Sequence, residues 1–165
     1  GGKPLREEEG VRTLGTVVDD GTIETLINVN LRAADPGLRD AHISVISFNH
    51  VVLLVGQVQT QDLKNLATRI AREASSGIKA VHNELEVAGT TDFLSRSNDA
   101  WISTKLKTLM LADPTVSGLR TKVVTENGVV YLMGLVSQAE ADMTVDLVSN
   151  TQGVTKVVRA FEYTN

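Results

Sequence analysis

Val51-Val52-Leu53-Leu54-Val55-Gly56-Gln57-Val58 returns 78 positions later as Val129-Val130-Tyr131-Leu132-Met133-Gly134-Leu135-Val136. Each is a β-prone run interrupted by a glycine at the same place. Asp35-Pro36 and Asp113-Pro114 keep the same offset, so the 165 residues read as two collinear copies of one small unit rather than one average domain. Upstream of the second run, Lys122 to Glu126 and Val129 to Met133 flank Asn127-Gly128, which readily takes the positive φ angles of a tight hairpin. The first copy has Asn49-His50 there; histidine tolerates positive φ less well than glycine, so a longer or differently shaped turn is expected.

Farther upstream each copy opens on a helix period: Ile23, Ile27 and Leu31 in the first, Ile102, Leu106 and Met110 in the second, with Asp20 and Asn98 expected as N-caps. Downstream, a second helix from about Gln61 carries Leu63, Leu66, Ala67, Ile70, Ala71 and Ala74 on one face. Its counterpart carries Ala139, Met143 and Leu147, and opens on a Ser137–Glu140 capping box. Gly77 and Gly153 close these helices, and in the last strands Val81, Leu85 and Val87 match Val157, Phe161 and Tyr163. The unit is α-β-β-α-β, an α/β (α+β) fold: a three-stranded mixed sheet with two helices on one face. Because the middle strands are apolar on both sides, the other face needs cover, and packing the two sheets against each other supplies it. The expected boundaries are a flexible leader over 1–19, modules over 20–90 and 98–165, and a linker over 91–97.

A formal charge of −4 and a pI near 5.4 argue against a nucleic-acid partner, which needs a basic stripe. The chain has no cysteine, so thiolate chemistry and cysteine metal sites are excluded. The longest apolar run, Val51 to Val55, is far short of the ~20 residues that span a bilayer. G-x-S-x-G elbows, Walker loops, G-x-G-x-x-G turns and His-x-x-x-His pairs are absent; no enzyme, metal or cofactor is expected. His42, His50 and His82 read as solvated histidines, and Glu84 with Glu86, or Asp142 with Asp146, as polar faces rather than acid-base pairs.

Trp101, the single tryptophan, does not fit that plain reading. With Ile102, Leu106, Leu109 and Met110 forming the apolar arc, Trp101 lies roughly 125° from the arc's centre, beside Lys105 and Thr108. Aligning the first helices by their apolar faces gives an offset of 79 and sets Trp101 at the place of Thr22; a rigid 78 would set it at core Ile23. The first alignment preserves both apolar faces, so the indole is expected to point outward.

Asn98-Asp99-Ala100-Trp101-Ile102-Ser103-Thr104-Lys105, Asn127-Gly128-Val129-Val130-Tyr131-Leu132-Met133-Gly134 and Gly153-Val154-Thr155-Lys156-Val157-Val158 resemble the BON (bacterial OsmY and nodulation) domain. The two-copy arrangement is similar to dual-BON outer-membrane lipoproteins over nearly the whole chain, from about Arg12. That resemblance implies a periplasmic, outer-membrane-anchored protein that serves envelope integrity and cell division and binds anionic phospholipid through its second module. The expected lipid site is then Trp101 with Lys105, Thr104, Thr108 and Asn98, and Lys107 as a second cation near the headgroups. An adaptor that binds an envelope protein through the same Trp101 face is the alternative, and a hydrolase is a third and weaker one. From Asn98 onward six Lys or Arg stand against seven Asp or Glu, so attraction to an anionic surface must be local and salt-sensitive.

Overall fold

The structure, a computed structural model, describes residues 11–90, 92–116 and 118–164. The first copy runs α1 (Leu14–Ala34), α2 (Pro36–Arg39), β1 (His42–Phe48), β2 (Val51–Val58), α3 (Gln61–Glu73), β3 (Ala80–Asn83) and β4 (Glu86–Val87). The second runs α4 (Phe93–Ala112), β5 (Lys122–Glu126), β6 (Val129–Val136), α5 (Gln138–Ser149) and β7 (Lys156–Tyr163). Each middle strand pairs antiparallel with the strand before it and parallel with the strand after its helix. β3 and β4 both pair with β2, so they are one last strand interrupted at Glu84-Leu85.

Strand alternation divides the core. Val52, Leu54 and Val58 of β2 face α1 and α3, packing with Ile23, Ile27, Leu31, Ala67 and Ala71. Val130, Leu132 and Val136 of β6 do the same with Ile102, Leu106, Met110, Ala141 and Val148. The intervening residues Val51, Leu53 and Val55, with Phe48, meet Tyr131, Met133 and Ala160 in a third core between the sheets. The molecule is thus a four-layer stack, helices outside and two sheets packed within. Two carboxylates of the second module fasten the seam at its edges. Glu126 accepts from Gln57 Nε2 at 2.8 Å and lies 3.4 Å from His42 Nε2. Glu162 accepts from Asn49 Nδ2 at 2.9 Å and lies 3.1 Å from Lys79 Nζ. Burial and the nearby Glu84, Glu86 and Glu126 push the seam's Tyr131 phenol up to about 12.

The repeated glycines are obligatory. Gly56 and Gly134 have φ of +127° and +137°, and a Cβ on either would overlap a carbonyl oxygen on the neighbouring strand, that of His42 or of Arg120.

Several expectations are corrected. α1 begins at Leu14 behind the N-cap Thr13, so Asp20 is not a cap and residues 14–19 are helix; of the expected leader only residues 11–13 are described without helix, and residues 1–10 lie outside the described residues. α4 begins at Phe93 behind Asp92, so most of the expected 91–97 linker is helix and Asn98 is an interior position. Asn49-His50 forms the same two-residue turn as Asn127-Gly128, neither longer nor differently shaped, with positive φ at both residues of each. Leu109 leaves the apolar arc for the surface, and α5 buries Ala141, Thr144 and Val148 while Ala139 and Met143 are exposed.

Buried Asp20 explains the tolerated His50. Its carboxylate accepts from the Asn49 and His50 amides at 2.7 and 2.8 Å and from Ser47 Oγ at 2.7 Å. Asp99 repeats this in the second module, accepting from the amides of Asn127 at 2.6 Å and Gly128 at 2.8 Å. Each carboxylate therefore ties the module's first helix to its hairpin turn.

Candidate functional site

α4 has one buried side and one free side. Ile102, Leu106 and Met110 are fully buried, and Asp99, on the same side, is held by the turn amides. These contacts set the helix's rotation and turn Trp101 outward, where it is 59% exposed. An exposed indole contributes few core contacts, so packing does not account for it. The Lys105 ammonium lies 5.0 Å from the centre of the Trp101 ring, close enough for a cation–π attraction.

The other expected site residues fall around this pair. Asn98 and Thr108 share the exposed side with Trp101, and Thr104 lies beside them. Both threonine hydroxyls are occupied within the helix: Thr104 Oγ1 donates to the Ala100 carbonyl and Thr108 Oγ1 to that of Thr104, each at 3.0 Å. Lys107 does not belong to the site. Its ammonium donates to the carbonyls of Gly118 and Thr121, the latter at 2.7 Å, fastening the returning loop to α4. Burial and the neighbouring Lys122 lower its pKa. Arg96, the third cation of α4, lines a shallow cavity with His42 and Asp99 instead. Lys105 is thus the cation beside the indole.

Sequence reasoning passed over Leu94, 76% exposed, because its stretch read as linker. Its signal was available: Leu94 stands seven residues before Trp101, two helical turns on the same face. Leu111 and Leu119, 55% and 70% exposed, were also passed over.

Among the described residues no three His, Asp or Glu side chains converge to hold a metal ion. His50 lies 3.3 Å from Asp19, and Asp142 pairs with Arg159 at 2.7 Å. No helix among the described residues is long and apolar enough to cross a membrane.

The comparisons with known proteins agree with this two-module plan. The chain is 37% identical over 153 residues to the outer membrane lipoprotein DolP of Haemophilus influenzae, covering 92% of this chain and 78% of that one. It is 35% identical to the 21 kDa hemolysin of Actinobacillus pleuropneumoniae, with 92% and 78% covered. To the osmotically-inducible protein Y of Escherichia coli it is 28% identical, with 91% and 75% covered. None of these names denotes an enzymatic reaction. The BON domain profile matches residues 19–89 and 98–165, one match per module, and the chain therefore belongs to the BON domain family.

Proposed function

We propose that this protein is a non-enzymatic, phospholipid-binding envelope lipoprotein that supports outer-membrane integrity, and that it docks on anionic phospholipid through the exposed side of α4. The observation that carries the reading is the single tryptophan, 59% exposed, with a lysine ammonium over its ring. An indole suits the headgroup boundary, where its ring meets the acyl region and its N–H stays among polar groups. Lys105 sets one positive charge at the same level, worth about 1 kcal/mol against an anionic surface. Charge therefore selects the lipid, while apolar contact supplies most of the affinity. The envelope setting is supported by the relationship to a protein named as an outer membrane lipoprotein. In this reading the chain is held at the outer membrane from its N-terminal side, facing the periplasm.

Co-sedimentation with vesicles of phosphatidylcholine, with and without phosphatidylglycerol, tests this directly. The protein is expected to pellet with the anionic vesicles and poorly with the zwitterionic ones. Failure to pellet with either defeats the reading and leaves the adaptor alternative.

A further inference from the structure

α1 shows the solvent a face that the fold does not explain. Ile23, Ile27 and Leu31 fix its buried side, and at about 100° per residue Leu14, Val18, Gly21, Thr22, Thr25 and Val29 lie on the other. All of them are exposed and none is charged; Leu14, Val18 and Val29 are 82%, 60% and 58% exposed. The Thr22 and Thr25 hydroxyls donate to the carbonyls of Val18 and Gly21, at 3.1 and 3.0 Å, which leaves their methyl groups outward. By contrast α3, in the same layer, exposes Asp62, Arg69, Arg72 and Glu73, as a solvated face does.

Gly21 is a second, independent observation. A Cβ there would meet nothing within 4 Å, so the chain's own packing does not require glycine, which weakens an exposed helix relative to alanine. What glycine gives on an open helix face is close approach by another backbone. The order of the exposed residues is also palindromic. Measured from the midpoint between Gly21 and Thr22, Thr25 mirrors Val18 and Val29 mirrors Leu14. A twofold contact between identical chains needs such a self-complementary surface, whereas a bilayer needs neither the palindrome nor the glycine.

We infer that α1 is the contact between two copies of this chain, packed antiparallel about a twofold axis beside Gly21. Leu14 then meets the partner's Val29, Val18 meets the partner's Thr25, and the helices come closest where Gly21 and Thr22 cross. From Leu14 to Val29 the contact runs about 22 Å at about 1.5 Å of rise per residue, with no charge on it to be desolvated or repelled. A single helix face is smaller than a standard stable interface, so the dimer is weak and forms at high local concentration. Because α1 lies in the outer layer opposite α4, the contact leaves the Trp101 side free and does not depend on the lipid reading.

Sedimentation equilibrium of the whole chain without lipid, over about a hundredfold range of concentration, reads the association. The wild type is expected to pass from monomer to dimer. Val18→Glu should weaken the dimer by about tenfold or more with unchanged melting temperature. Gly21→Gln should weaken it too while raising the melting temperature of the dilute monomer, opposite effects that a glycine needed by the fold would not produce. Since the chain lacks cysteine, Thr22→Cys can be joined to its twin by a short bis-maleimide, with Arg72→Cys on α3 as the control; efficient joining at 22 and little at 72 are expected. A wild type that stays monomeric throughout overturns the inference, as does a dimer that both Val18→Glu and Gly21→Gln leave intact, or joining at 72 as efficient as at 22. If the chain is monomeric and Val18→Glu instead lowers binding to phosphatidylglycerol-containing vesicles, lipid rather than a second copy covers α1, and the inference is again overturned.

Discussion

Replacing Leu53 with alanine removes a fully buried side chain from the core between the sheets, so its effect should reach both modules. Leucine-to-alanine changes at such sites destabilise by about 2 to 5 kcal/mol, from lost transfer energy and the cavity left behind. With a urea dependence of about 2 kcal/mol per molar for a chain of this size, a loss of about 3 kcal/mol lowers the unfolding midpoint by about 1.5 M. Urea titration followed through resolved amide resonances of both modules is the assay. Every amide of β6 and α5 is expected to lose its native signal at the same lowered midpoint as those of β2 and α3. Met133→Ala, in the same cluster on the other sheet, should be non-additive with Leu53→Ala by about 0.5 kcal/mol or more. A second module that keeps its wild-type midpoint in Leu53→Ala would show instead that the modules are independent bodies in contact.

Other outcomes follow from individual residues. Burial pushes the Asp20 carboxyl up, but hydrogen bonds from Ser47, the His50 amide, Arg12 and the Asn49 amide outweigh it and hold the pKa below the usual carboxylate value. That stabilisation is complete above the unfolded-state pKa near ~4 and is lost as pH falls through the lower folded value; an Asp20→Asn variant should show a flatter acid limb in thermal melts between pH 5 and pH 2. Gly134→Ala forces a Cβ onto the Arg120 carbonyl at a φ suited to glycine, so a loss of about 3 kcal/mol or outright failure to fold is expected, read by circular dichroism. Lys107→Met should lower the melting temperature by freeing the 118–121 loop, whereas Lys105→Gln should weaken anionic binding about fivefold at low salt without altering stability.

The repeat made the fold legible because it rests on two strong local signals: the glycine-interrupted strand and the helix period four residues apart. Where each helix begins was less legible. Asp20 and Asn98 sit just before an apolar period and look like caps, but α1 and α4 extend upstream through turns whose apolar residues, Leu14, Val18 and Leu94 among them, are exposed and so do not continue the buried face. Asp20 was misread for a further reason: its partners, the Asn49 and His50 amides, lie about thirty residues away, and no sequence window contains both ends of that contact. The turn at Asn49-His50 was misjudged from the same blindness, since the carboxylate that supports its positive φ comes from the helix. The outward Trp101 was legible from the arc of Ile102, Leu106 and Met110; the inward use of Lys107 was not, because its acceptors belong to a loop whose path only the folded chain defines.

Whether Trp101 faces phospholipid is tested by vesicle binding of Trp101→Ala set beside Leu106→Ala. The side chain of Trp101 is 59% exposed and that of Leu106 fully buried. Trp101→Ala is expected to remove most binding to phosphatidylglycerol-containing vesicles while keeping the wild-type melting temperature, and Leu106→Ala to lower stability by about 2 to 5 kcal/mol. The wild-type tryptophan emission should also shift to the blue on adding these vesicles. A Trp101→Ala protein that binds the vesicles as tightly as the wild type would show that the indole does not face the lipid.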